Sequence, residues 1–134
     1  MNYTPEHLTH LDQDSIFVFG STPDGIHDHG DALTAYKYFG AVNGQSSGLQ
    51  GQSYAIPTME GDIEKMKPYI KAFFELAYEW DQTMFYVTRI ACDIPGITDS
   101  DIAPLFAEAL KLYNVLLPES FVKAIRQQKT QPDF

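Results

Sequence analysis

An α/β domain is the fold the sequence predicts: a single-domain, three-layer arrangement around a largely parallel sheet. Three observations predict it. Short β-rich runs alternate with helical stretches along the chain. A length of 134 residues with no internal repeat, low-complexity tract or linker suits one domain, with a core over about 15–127 and a loose tail over 128–134. A hydrophobic share of 44% and an aromatic share of 13% suit a packed core rather than a disordered chain.

SIFVF (Ser15 to Phe19) is β-rich, ends at Gly20 and reads as a buried first strand. The loop GSTPDGIHDHG follows, and DALTAYKYF (Asp31 to Phe39) then reads as a helix with Leu33, Tyr36 and Phe39 inward. After a glycine-rich stretch, SYAIP (Ser53 to Pro57) is a second strand. Asp62 to Trp80 is helical in pattern, with Ile70, Phe73, Phe74 and Ala77 forming an apolar stripe. Pro68 belongs in a first turn, which places the start of the regular helix there. MFYVTRIA (Met84 to Ala91) is the strongest strand signal in the chain. A further helix is expected from near Asp101, just before Pro104, to about Tyr113, burying Ile102, Leu105, Phe106, Ala109 and Tyr113. VLLP suits a short last strand, and a final helix runs from Glu119 to about Gln127.

The formal charge of -9 and pI of about 4.6 argue against general nucleic-acid binding, since an acidic surface repels phosphate. They leave room for a small anionic ligand held by backbone N–H groups. No apolar run reaches the ~18 residues that span a bilayer, and the N-terminus lacks the regions of a signal peptide, so a cytoplasmic location is expected. The single Cys92 permits no internal disulfide and no Cys-based zinc site, and reads as a small buried residue rather than a nucleophile.

Ligands of open α/β sheets bind outside the carboxyl ends of the strands. Three segments stand there: Gly20 to Gly30, Thr58 to Asp62 and Cys92 to Asp99. Seven of the nine glycines fall between Gly20 and Gly51. Glycine lets the backbone approach a ligand closely, so this concentration points to an ordered wall beside a site; an ordered surface loop is the plainer alternative. Neither a Walker A loop nor a GxGxxG fingerprint is present. His27 and His29 lie near Asp28 and Asp31, yet their spacing does not support a metal site, and no metal or cofactor is expected. Ser21 and Thr22 can offer hydroxyls to a ligand, or simply serve a turn. Asp93 follows the strong strand, where ligand-binding carboxylates sit, and is also a natural turn residue before Pro95-Gly96. Arg89 pairs with an acid or faces solvent.

The blocks FVFGST..GIH..G.AL.A...FGA..GQ..GLQGQSYAIPT and FYVTRIAC.IPG...DIAPLF, followed by NVLLPESF, resemble a family of small phage and bacterial non-structural proteins. That family's arrangement is similar to the macro domain, an α/β module that binds ADP-ribose and related nucleotides. The resemblance covers roughly residues 15 to 125. It implies a nucleotide-like ligand in a cleft formed by Gly20 to Gly30, Gly48 to Gln52 and Ala91 to Gly96. Gly20, Ser21, Thr22, Gly25, His27, Gly30, Gly48, Gln50, Gly51, Gln52, Thr58, Cys92 and Asp93 are the binding candidates. In a phage setting the protein would act on host nucleotide signals. If the domain is instead a macro-type hydrolase of ADP-ribosyl substrates, His27 and Asp93 are its acid–base candidates. A protein-interaction or structural role, including a homo-oligomer, is the third reading. The chain carries Asp28 and Asp93 where the family pattern has glycines. A carboxylate beside a pyrophosphate is unfavourable unless protonated, metal-bridged or turned away.

Overall fold

The structure, a computed structural model, describes the backbone of residues 2–130 and side chains through residue 128. Among the described residues the elements run β1 (Ser15–Ser21), α1 (Gly30–Tyr38), β2 (Gly48–Gln50), β3 (Ser53–Pro57), α2 (Ile63–Glu79), β4 (Met84–Val87), α3 (Asp99–Ile102), β5 (Val115–Leu116) and α4 (Glu119–Thr130). Short 3-10 segments stand at Met59–Gly61 and Ala103–Lys111. The five strands form one sheet in the order β2-β3-β1-β4-β5. β1 runs parallel to β3 and β4, β4 parallel to β5, and only β2 is antiparallel, along β3.

Alternation along β1 sorts the core into two layers. Ile16 and Val18 pack with Tyr54, Ile56, Phe85 and Val87 against α2, the second 3-10 segment and α4. Phe17 and Phe19 point the other way and pack with Ala55 against Ala32, Ala35 and Phe39 of the α1 region. The sheet is thus covered on both faces, as a parallel sheet requires.

The inward face of α1 is Ala32, Ala35 and the capping Phe39, rather than the expected Leu33 and Tyr36; Tyr36 is 49% exposed. Small residues let the helix approach a sheet face already filled by the rings of Phe17 and Phe19. Phe17 and Phe39 stack with ring centroids 4.6 Å apart. Helix α2 starts at Ile63, not at Pro68, because Asp62 caps it, its carboxylate accepting from the Lys65 N–H at 3.3 Å. The expected stripe Ile70, Phe73, Phe74 and Ala77 is buried, with Met66 added.

The strand expected over Met84 to Ala91 ends at Val87. Thr88 prolongs the contact with β1, since both its N–H and its hydroxyl donate to the Val18 carbonyl, at 3.0 and 2.8 Å. The next helix begins at Asp99, earlier than Pro104 suggested, because Thr98 and Asp101 form a capping box. It continues as a 3-10 segment, and Tyr113, expected inside, is 72% exposed, its hydroxyl donating to the Asp81 carbonyl. The final helix reaches Thr130, so the part of the expected loose tail at 128–130 is helical; residues 131–134 lie outside the described ones. No helix among the described residues is long and apolar enough to cross a membrane.

The glycine-rich stretch has two jobs. Gly40 and Gly51 touch back to back with φ of 75° and 61°; a Cβ on Gly51 would lie 2.7 Å from the Gly40 Cα. Between them the chain climbs to the carboxyl edge and holds the loop after β1. The Gly44 N–H donates to the Gly25 carbonyl at 2.9 Å, and the Ser21 hydroxyl donates to the Ser46 carbonyl. Gly51→Ala is therefore expected to lower stability by about 1–3 kcal/mol in urea titration, from strain plus backbone overlap. A change within error would show that the two backbones separate at no cost.

A candidate binding cleft at the carboxyl edge of the sheet

The chain leaves β1 towards α1 on one face and leaves β3 and β4 towards helices on the other. Loops that part in this way open a crevice at the carboxyl end of the strands. Two cavities occupy it, of about 1110 Å³ and 410 Å³, and Asp31, Arg89 and Asp93 line both. The larger is walled by the N-terminal arm (Tyr3 to Leu8), α1, the segment after β4 and the start of α4. The arm is fastened at Thr4, whose N–H donates to the Leu117 carbonyl at 2.9 Å and whose hydroxyl donates to Leu116.

Of the residues that the sequence pointed to, Gly20, Ser21, Thr22, Gly30 and Thr58 line the smaller cavity, Cys92 the larger, and Asp93 both. Gly25, His27, Gly48, Gln50, Gly51 and Gln52 line neither. The hydrogen bonds give the reason. Gln50 is buried, with its Oε1 accepting the Val42 N–H at 2.7 Å and its Nε2 donating to the Gln45 carbonyl at 3.1 Å. Gln52 donates to the Asp12 carbonyl at 2.6 Å, at the amino end of the sheet.

His27 is 2% exposed and meets Phe19 edge-on. Its Nε2 lies 3.2 Å from Gln50 Oε1. That oxygen already accepts from Val42, so it is the acceptor and Nε2 carries the hydrogen. The other ring nitrogen, Nδ1, is buried without a partner. The imidazole braces the loop from behind, away from both cavities.

The segment after β4 carries the charges of the crevice. Ala91 takes a φ of 68°, unusual for a residue other than glycine, and the chain turns there. Arg89 grips Asp99 with two hydrogen bonds, Nε to Oδ1 and Nη2 to Oδ2, each 3.0 Å. Asp99 Oδ1 also accepts from the Ser120 hydroxyl at 3.1 Å and faces the Cys92 thiol at 3.5 Å. Burial works to raise the Asp99 pKa, but the donors of Arg89, Cys92 and Ser120 prevail and hold it below the ordinary value. Burial, reinforced by the Asp99 carboxylate, pushes the Cys92 thiol up to about 12. The thiol is thus kept protonated, although Cys92, expected to be buried, is only half-buried at the wall of the larger cavity.

Asp31 opens to water through the cleft mouth, yet its carboxyl is flanked by the walls. Desolvation raises its pKa and the charge of Asp93 adds to this, while the positive charge of Arg89 works against it. Asp93 stands close to the start of α1, its Oδ2 4.0 Å from where a Cβ on Gly30 would lie. His29 and Asp28 pair in solvent at 2.8 Å, and the Asp28 hydrogen bond raises the His29 pKa.

Asp31, Thr34, Thr88, Arg89, Asp99, Ser120 and the arm were not marked as site residues by sequence reasoning. Position in an α/β chain was the usable signal for most of them: Thr88 and Arg89 directly follow a strand, and Asp31, Asp99 and Ser120 open helices. The arm carries no periodic pattern that would reveal it. Compared with known proteins, the chain matches no family model, no curated protein and no solved structure.

Two outcomes follow. A carboxyl whose folded pKa is raised stabilises the fold below its unfolded pKa and loses that contribution as pH rises through the folded value. Asp31→Asn should therefore raise the Tm slightly at pH 7, with the gain disappearing as pH falls towards 3.8, the ordinary value. An unchanged or lower Tm at pH 7 would contradict a desolvated Asp31. Cys92 in the native protein should react with iodoacetamide at pH 8 at least about tenfold more slowly than a free thiol, because little thiolate forms. Equal rates would refute a protonated, shielded thiol.

Proposed function

We propose that this domain binds a nucleotide-like small molecule, ADP-ribose or a related signalling nucleotide, in the crevice beyond β1, β3 and β4. The observation that carries this reading is the pair of cavities, sharing Asp31, Arg89 and Asp93, at the point where the loops after adjacent parallel strands diverge. Their volumes suit a ligand of nucleotide size.

The start of α1 borders the smaller cavity, and its N-cap His29 makes no side-chain cap hydrogen bond. First-turn N–H groups without a side-chain acceptor are the natural partners of a phosphate. The hydroxyls of Ser21 and Thr58 are already donated to protein carbonyls, so they can only accept from a ligand. Asp31 and Asp93 suit groups that donate, such as ribose hydroxyls. Asp93 also stands beside the start of α1, where it opposes a phosphate. A protein of this kind would sequester or process a nucleotide signal in its host cell.

A hydrolase of ADP-ribosyl substrates is the second reading, favoured by one observation. Asp31 and Asp93 share both cavities, and the charge of Asp93 helps raise the proton affinity of Asp31, as befits an acid–base pair. His27 has no part in it.

Calorimetry with ADP-ribose, NAD-derived cyclic nucleotides and cyclic dinucleotides tests the first reading; saturable binding of one is expected, and binding of none overturns it. Removing the charge in Asp93→Asn should tighten the bound phosphate-bearing ligand by up to about tenfold and leave its nucleoside nearly unaffected. Incubation with ADP-ribosylated substrate tests the second. Turnover lost in Asp93→Ala favours the hydrolase, whereas turnover unchanged by that substitution clears the residue.

A further inference from the structure

We propose that the larger cavity is a site for an organic amine, a small molecule carrying a cationic nitrogen on an apolar body. The proposal does not rest on nucleotide binding. It starts from which charges on the wall are already compensated. Arg89 is held by Asp99 at 3.0 Å, and Lys123 lies 3.3 Å from Glu119. Both cations of the wall are thus committed to carboxylates that also line it.

Glu6, Asp31 and Asp93 complete the acidic side, and none has an ion-pair partner among the described residues. His7 adds positive charge only when protonated. In the larger cavity an anionic ligand would meet three carboxylates outside any ion pair and, among the described residues, no cation outside one, whereas a cationic ligand would be attracted to all three.

The three carboxylates come from separate elements: the arm, α1 and the segment after β4. No group of three or more ligating side chains converges to hold a metal ion among the described residues. Dispersed carboxylates fit an extended organic cation better than a compact one. The remaining surface agrees, because Tyr3, Leu8, Phe17 and Pro118 give the cavity an apolar and partly aromatic side. Such a surface suits the apolar body of the ligand. The volume of about 1110 Å³ leaves space for such a molecule. Asp31, which lines both cavities and has no ion pair among the described residues, is placed to meet a cationic partner.

Phenethylamine, 2-phenylethanol and 3-phenylpropanoate share a body and differ in charge. Their affinities for the full chain, with spermidine and agmatine as further amines, can be measured by ligand-observed NMR at low ionic strength. At least one amine should bind saturably, and phenethylamine more tightly than the alcohol and the acid. Glu6→Gln and Asp31→Asn should each weaken the bound amine by about tenfold, with added salt weakening it as well. Asp31→Asn should do so without a loss of Tm, which separates ligand contact from unfolding. The proposal is overturned if no amine binds, if the acid binds as tightly as the amine, or if neither substitution changes affinity. Nucleotide titrations on the same samples keep the two readings apart: amine binding without nucleotide binding sustains this one alone, and the converse sustains only the other.

Discussion

The central strand β1 must satisfy demands on every side, and most of the architecture answers them. It bonds to β3 along one edge and to β4 along the other, and side chains of successive residues enter opposite layers of core. A strand buried in this way needs helices on both faces, so the chain crosses to one face after β1 and to the other after β3 and β4. The crevice at the carboxyl edge follows from the same requirement. Where neighbouring loops part to reach opposite layers, nothing fills the space between them.

Packing within the layers sets how closely each helix approaches. On the α1 side, the bulk comes from the sheet through Phe17 and Phe19, and the helix contributes alanines. On the other side, α2 supplies Met66, Ile70, Phe73 and Phe74, and Phe73 meets the rings of Tyr54 and Phe85 edge-on, with centroids 5.4 Å apart in each case. Large groups of the sheet thus face small ones in the α1 layer, whereas aromatic rings interlock in the α2 layer. The long connection from α1 to β2 serves this arrangement. Its glycine pair, Gly40 and Gly51, lets two backbone segments meet at the amino end, while Asn43 to Ser46 brace the loop after β1 at the other.

Electrostatics give the crevice its character. The chain is acidic overall, and at the carboxyl edge the basic groups are consumed internally, Arg89 by Asp99 and Lys123 by Glu119. The Arg89–Asp99 pair, reinforced by Ser120, joins the segment after β4 to the starts of α3 and α4 and thereby fixes one wall. Among the described residues, Asp31 and Asp93 remain without ion pairs. A carboxylate partly desolvated beside another works against folding stability, and groups of this kind are commonly kept for function rather than for the fold.

Sequence patterns alone determined the α/β class, the presence of four of the strands, and the buried stripe of α2, because β-rich apolar runs and period-3.6 spacing are local signals. They also identified Gly20, Ser21, Thr22, Gly30, Thr58, Cys92 and Asp93 as residues near strand ends, and these do line the cavities. Tertiary structure decided the rest. Strand β2 is three residues long and too short to show a period. Beyond Thr88 the chain leaves β1 in a turn, with the Ile90 N–H donating to the Thr88 carbonyl and Ala91 at a positive φ, which no local propensity encodes. Whether Leu33 or Ala35 faces inward depended on the aromatic rings waiting on the sheet. The family resemblance made His27 and Gln50 binding candidates, and side-chain hydrogen bonds between distant segments hold them away from both cavities. The assembly of Asp31, Arg89 and Asp93 at one place is likewise a product of strand order, a long-range property that spacing along the chain does not carry.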